Sequence, residues 1–294
     1  MNILLAVDGS NHSKRASDLL ARATAGAHRV TVLNVTPTPV PAPEKNLTSV
    51  TEALKKSAVA LTEAVARDLR RARGWRARAV VVESMDVAGA VLAQAVQTKA
   101  DLIVLGARGL NPVKAIFLGS VSQKILERAT VPVWIVRGGG RKKSFHAVLA
   151  VDGTPGGERA SAFLKRFGPV GGARLSLVHA VLHPLAAWRP GPFGLPTEAY
   201  LSVDLLKQTR ADLLTKGRTV LARAAKRWAG RRPPADILLR EGFPAETLLD
   251  AAGARGADVI VMGRRGLSRL DRFLIGSVSR KVASHAAGSV LIVP

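Results

Sequence analysis

Asp101-Leu102-Ile103-Val104-Leu105-Gly106-Ala107-Arg108-Gly109, nine intervening residues and then Gly119-Ser120 form the stretch from which the fold is read. It returns as Asp258-Val259-Ile260-Val261-Met262-Gly263-Arg264-Arg265-Gly266, nine residues, and Gly276-Ser277. In each copy a short apolar run reads as a buried parallel strand entering a glycine-rich loop. Behind each Gly-Ser pair, apolar residues recur at helical spacing: Val121, Ile125 and Ala129 in one copy, Val278, Val282 and Ala286 in the other. The loop therefore opens onto a helix N-terminus, where unpaired N–H groups and the positive end of the helix dipole suit an anion. Glycine lets that anion approach the main chain, and phosphate is the candidate. A branched side chain at Gly119 or Gly276 is expected to block the approach and to penalise any positive φ there.

Outward from the loops, the same order of elements appears twice. Asn2 to Val7 reads as a strand ending in Asp8-Gly9-Ser10, whose small polar residues suit a helix cap. Ala16, Leu19, Leu20 and Ala23 give the following helix one apolar face. A strand at Val30 to Val35 runs into Thr36-Pro-Thr-Pro-Val-Pro-Ala-Pro43, an extended loop by its prolines. A helix over about 48–73, with Gly74 at its C-cap, a strand at Ala77 to Val82 and a short helix at Val87 to Thr98 lead to the Asp101 strand. Val131 to Val136 is the last strand of the first half. Arg137-Gly-Gly-Gly-Arg-Lys-Lys-Ser144 has linker composition. Beyond it Phe145 to Val151, Asp152-Gly153-Thr154 and Arg174 to Ala180 repeat the opening, with 13 extra residues before the second motif. Pro184, Pro190, Pro192 and Pro196 put that insertion at His183 to Pro196. A lid, a dimer contact and packing on its own helix are all open to it.

Strands alternating with helices imply an α/β fold, a parallel sheet covered on both faces. The expected division is a first domain at 1–137, a linker at 138–144 and a second domain at 145–294. In such sheets ligands sit beyond the carboxyl ends of the strands where the chain reverses direction. Asp8 and Gly106, and in the repeat Asp152 and Gly263, should meet there. Each Asp reads equally as a helix cap, and Arg108, Arg264 and Arg265 could add charge toward a phosphate or simply be solvated. The terminal strands of the two halves are apolar edges, and pairing Val131 to Val136 with Ser289 to Val293 would cover both within one chain.

Composition narrows the classes. The chain has 294 residues, 47% of them hydrophobic, and no cysteine, which excludes disulfides and thiolate metal sites. No apolar run reaches the ~20 residues of a membrane helix. With no signal-like segment at Met1-Asn2-Ile3, a reducing cytoplasm is the simplest address. The net charge of +23 is spread over both halves, so no basic tail stands out as a nucleic-acid arm. Any nucleic-acid binding should be weak, unspecific and salt-dependent. There is no Gly-x4-Gly-Lys-Ser/Thr loop, no Gly-x-Gly-x-x-Gly after the first strand and no Gly-x-Ser-x-Gly elbow. The six histidines suggest neither a metal cluster nor a pairing with a nucleophile.

The Gly-x2-Gly-x9-Gly-Ser pattern after a Leu-Ile-Val-Leu strand, with Val-Asp-Gly-Ser near the start, resembles the universal stress protein family, and specifically its tandem members. The resemblance implies two repeated domains, each a five-stranded parallel sheet of the adenine-nucleotide alpha-hydrolase-like type, and it places both halves with the ATP-binding members. By it, Gly106, Arg108, Gly109, Gly119, Ser120, Val121 and Ser122 would lie along the phosphates and ribose, and Asp8 and Val35 would contact the adenosine end. The second set is Gly263, Arg265, Gly266, Gly276, Ser277, Val278 and Ser279, with Asp152 and Ala180. Met85 departs from the pattern where the second half has Gly242. The function implied is an ATP-binding sensor or buffer, with Mg as an accompanying ion, an intramolecular pseudo-dimer and a homodimer left open. A slow ATPase or nucleotidyl-transferring enzyme of the same fold is the alternative, although no general base is evident.

Overall fold

The computed structural model describes residues 1–38, 45–107, 109, 118–138, 144–169, 171–183, 203–230, 235–264 and 275–294, with backbone alone for 45–50. Arg108, Arg265, Gly266, the middle of the linker and the proline insert from Pro184 onward lie outside these residues. The first half runs β1 (Asn2–Ala6), α1 (Asn11–Ala23), β2 (Arg29–Thr36), α2 (Lys45–Arg73), β3 (Arg76–Glu83), α3 (Val87–Gln97), β4 (Leu102–Gly106), α4 (Ser120–Arg128) and β5 (Val133–Val136). The second runs β6 (His146–Ala150), α5 (Pro155–Phe167), β7 (Arg174–Val181), α6 (Val203–Arg227), β8 (Asp236–Glu241), α7 (Pro244–Ala254), β9 (Val259–Gly263), α8 (Ser277–His285) and β10 (Ser289–Val293).

All ten strands join one sheet in the order β3-β2-β1-β4-β5-β10-β9-β6-β7-β8. Within each half every pairing is parallel. The junction alone is antiparallel, with Leu291 opposite Trp134 and Val290 opposite Ile135. The two apolar edges thus cover one another, as the hazard of an exposed edge strand demands. Ser289 Oγ fastens the end of this seam, accepting from the Arg137 N–H at 3.2 Å and donating to the Arg137 carbonyl at 3.0 Å.

Burial explains the near-continuous apolar runs in the strands. One core under α1, α2, α5 and α6 holds Leu5, Leu20, Val32, Leu69, Trp134, Leu149 and Phe167. The other, under α3, α4, α7 and α8, holds Leu4, Ile103, Ile125, Ile135, Val148, Ile260 and Val282. Alternate residues of β1 serve opposite faces, so a sheet covered on both sides needs every position apolar. Gly74 ends α2 with a φ of +63°, its N–H bonded to the Arg70 carbonyl at 2.9 Å, the C-terminal arrangement that favours glycine.

Candidate functional site

The chain reverses direction across the sheet between β1 and β4, and again between β6 and β9, so each half has one crevice at its strand carboxyl ends. Asp8 and Asp152 stand there, and neither is the helix cap. Ser10 caps α1 by accepting from the Ser13 N–H at 3.2 Å, and Thr154 caps α5 by accepting from the Gly157 N–H at 3.2 Å. The aspartates brace the turn before the cap: Asp8 Oδ1 accepts from the Ser10 N–H at 3.0 Å and Asp152 Oδ1 from the Thr154 N–H at 2.9 Å. A Cβ on Gly109 would stand 2.8 Å from Asp8 Oδ2, so that oxygen faces the glycine loop.

Both loops close on a matched pair of residues. The Gly119 N–H donates to the Ala107 carbonyl and the Gly276 N–H to the Arg264 carbonyl, each at 3.0 Å. Ser122 Oγ donates to the Gly106 carbonyl at 3.1 Å and Ser279 Oγ to the Gly263 carbonyl at 2.9 Å, which ties the first turn of α4 or α8 to the strand before it. The first intrahelical donors are Gln123, to Gly119, and Arg280, to Gly276. Helix geometry leaves the N–H groups of 120–122 and 277–279 to point out of the helix end. Gly119 and Gly276 have φ of −65° and −63°, so the expected need for positive φ fails and only the argument from close approach survives. The requirement for glycine at 106 and 263 has a different cause. A Cβ at Gly106 would meet the His12 backbone carbon at 2.9 Å, and one at Gly263 the Gly156 carbonyl oxygen at 2.8 Å, so these glycines let α1 and α5 press onto β4 and β9.

The two crevices differ in size. The second encloses about 360 Å³ and is lined by Asp152, Ala180, Gly263, Gly276, Ser277, Val278 and Ser279, all expected site residues, together with His179, Leu248 and Met262. The first encloses about 120 Å³ and brings together Asp8, Val35, Gly106, Gly109, Val121 and Ser122, without Gly119 or Ser120 in its wall. Leu33 and Val35 line the first crevice where Val178 and Ala180 line the second, and the bulkier pair takes up room.

His179 is the site residue that sequence reasoning missed. Its Nδ1 bonds the carbonyl of Val151 at the end of β6, as Asn34 Nδ2 bonds the Val7 carbonyl at 2.7 Å in the first half. The signal available was its place immediately before Ala180. Two expectations need correction. Arg264 does not face a phosphate: its side chain is buried in the seam, Nη1 donating to Ala129 at 2.8 Å and Nη2 to Leu126 at 3.0 Å and to Glu127, carbonyls at the end of α4. And two histidines do meet a hydroxyl, His146 Nε2 lying 2.9 Å from Ser176 Oγ and His28 Nε2 3.1 Å from Thr24 Oγ1, but all four residues are buried toward the amino ends of their own half's strands, away from that half's crevice. Among the described residues no group of three His, Asp or Glu side chains could hold a metal ion.

Residues 1–137 and 145–294 each match the model of the universal stress protein family. The chain belongs to that family. A universal stress protein of Mycobacterium tuberculosis is 27% identical over 317 residues, covering 99% of this chain and 94% of its own. One from Thermus aquaticus is 39% identical over 146 residues, half of this chain and 96% of its own. The crystal structure of a universal stress protein from Archaeoglobus fulgidus superposes with a TM-score of 0.65, at 20% identity, covering 99% of this chain and 97% of that one. The fold of the universal stress proteins therefore extends over both repeats.

That fold also corrects the placing of Met85. Thr36 pairs with Glu83 and Val181 with Glu241, so Gly242 is matched by Ser84, and the first half has one extra residue before its helix. Gly242 has a φ of +146°, which glycine suits, whereas Met85 is a 73% exposed residue in an ordinary conformation.

Proposed function

We propose that this universal stress protein binds an adenine nucleotide at each switch point, ATP foremost, and that the second half holds it more tightly. The observation that carries the reading is the second crevice, whose volume falls in the roughly 300–1,000 Å³ range of small-molecule sites and whose wall combines Asp152 with the start of α8. The phosphates would lie against the N–H groups of Ser277, Val278 and Ser279, beside Gly276, with Arg265 and Gly266 proposed to serve them as well. The adenosine end would lie over Ala180, next to Asp152. In the first half Ser120, Val121 and Ser122, with Gly109, Gly119 and Arg108, would serve the phosphates and Val35 with Asp8 the adenosine. Mg²⁺ fits only as an ion brought by the phosphates, since each crevice offers one carboxylate and Mg²⁺ commonly completes its shell with phosphate oxygens and water.

Retention without rapid turnover is the expected behaviour, making the protein a cytoplasmic sensor or buffer of nucleotide. His179 is the one observation that favours hydrolysis, because it adds an imidazole to the crevice wall. Denaturing the purified protein and identifying released nucleotide tests the binding reading, with about two nucleotides per chain expected at saturation, one per helix N-terminus. A folded protein that neither carries nor takes up adenine nucleotide refutes it. Turnover lost in His179→Asn, which installs the residue of the first half, would favour the enzyme instead.

A further inference from the structure

Three arginines gather at the amino ends of β2 and β3, the end of these strands opposite the first crevice. β2 and β3 run parallel in a register that sets Arg29 beside Arg76 and Thr31 beside Arg78. Residues two apart on a strand share a face, and adjacent strands lie about 4.8 Å apart, so Arg29, Arg76 and Arg78 form a triangle on one face with backbone corners about 5, 7 and 8 Å apart. All three are exposed. With Asn2, Thr98 and a fourth arginine, Arg70, they line a concave space of about 410 Å³. Its wall is fixed by Asn2 Nδ2 donating to the Lys99 carbonyl at 3.1 Å and by Arg78 Nε donating to Thr31 Oγ1 at 3.2 Å.

Like charges on neighbouring strands repel, and a folded chain ordinarily sets a carboxylate among them. Here the nearby acids are engaged elsewhere: Glu63 with Arg70 at 3.5 Å, and Asp101 with the Asn2 N–H and with Arg166 at 3.4 Å. Among the described residues no carboxylate pairs with Arg29, Arg76 or Arg78. The second half shows that the fold does not require this. There the register partner of Ser176 is Asp236, in the place that Arg78 holds beside Thr31, and Asp236 lies 4.0 Å from Arg255.

We propose that this cavity binds a small ligand carrying two or more phosphate groups. Guanidinium groups match phosphate oxygens in pairs of parallel hydrogen bonds, and three of them carried on positions within about 8 Å call for several negative charges on a short frame. Among the described residues no aromatic side chain lines the space, so these residues offer no platform on which the bases of a nucleic-acid strand could stack. The site is separate from the nucleotide crevices and stands whether or not they are filled.

The test is titration of the full-length protein with inorganic tripolyphosphate at about 0.15 M salt, where the Debye length of about 8 Å suppresses the general attraction of a basic surface. The double variant R29S/R76S is compared with the parent and with R223S, which removes an exposed arginine on α6. The parent and R223S should bind alike and gain thermal stability with tripolyphosphate. R29S/R76S should bind about tenfold more weakly or worse and lose that gain while keeping its circular dichroism spectrum. Equal affinity in all three proteins would overturn the site. A single-stranded DNA oligomer that needs the same two arginines and outcompetes tripolyphosphate at equal phosphate would overturn the ligand class.

Discussion

Replacing Arg264 by Ala should destabilise the protein through the other half of the chain. Arg264 follows β9, is 8% exposed, and gives its guanidinium to three carbonyls at the end of α4, Leu126, Glu127 and Ala129. A cation at a helix C-terminus satisfies acceptors that the helix itself leaves open and opposes the negative end of its dipole. Hydrogen bonds involving a charged group contribute about 1.5–3 kcal/mol each, but burying a guanidinium costs several kcal/mol, so the net is well below the sum. The loss on truncation should be about 1–3 kcal/mol, the cost of leaving buried carbonyls without a donor, since no charge is left behind. Arg264→Lys keeps the charge without the fork that reaches three acceptors, and should lose less. Urea unfolding followed by circular dichroism and by the emission of Trp134, which is buried at the seam, measures both variants. A loss below about 1 kcal/mol for the alanine variant, the level of a surface pair, would refute the reasoning.

Acid should weaken the fold through His28, whose pKa is lowered to about 4, first by burial and then by the ammonium of Met1 and the guanidinium of Arg73. The unfolded chain takes up this proton near pH 6.5, so the stability is full above that pH and falls by up to about 3 kcal/mol as pH drops toward 4; H28Q should flatten the slope of urea midpoint against pH, and an unchanged slope refutes the assignment. Gly263→Ala should cost about 1–3 kcal/mol by forcing a Cβ to within 2.9 Å of the Gly157 nitrogen, and calorimetric melting would detect it; an unshifted melting temperature would mean that α5 yields freely. Ala180→Val should weaken nucleotide binding in the second half and Val35→Ala should strengthen it in the first, because each exchanges the wall of one crevice for that of the other. Titration calorimetry that finds both unchanged would remove crevice size as the cause of the difference.

The repeat was legible because its signals are local and physical. Apolar runs too continuous for a half-exposed strand mark a sheet buried on both faces, whereas the glycines at 106 and 263, which read as room for a phosphate, make room for α1 and α5. The caps at Ser10 and Thr154 and the glycine that ends α2 were equally readable. What could not be read is what depends on distance across the chain. Arg264 lies in the glycine motif and looks available to a phosphate, yet its side chain turns toward α4, which only the joining of β5 to β10 brings near. His179 stands next to Ala180, which the sequence does place at the site, but only the pairing of β7 with β6 shows its Nδ1 bonded to the Val151 carbonyl. Met85 matches Gly242 at the offset of the two glycine motifs, whereas strand register moves the match by one residue.

Duplication has left the two halves with one skeleton and different ends. The carboxyl end of the second half carries the smaller side chains Val178 and Ala180, the imidazole of His179 and the larger crevice, while its amino end neutralises itself with Asp236 and buries His146 against Ser176. The first half is the reverse, a narrow crevice walled by Leu33 and Val35 at one end and three arginines without a counter-charge at the other. None of these exchanges alters a strand pairing or a cap, so folding does not account for them. A single-domain dimer would have to carry identical surfaces on both copies, whereas a tandem chain whose halves share one sheet can set a different chemistry at each end of each half. The seam makes the differences mutually consequential: the residue that closes the second loop, Arg264, also holds α4, whose first turn borders the first crevice. A ligand that shifted the neck of one loop would therefore act on a helix that borders the other crevice. Any difference it makes to affinity there must be returned equally in the opposite direction.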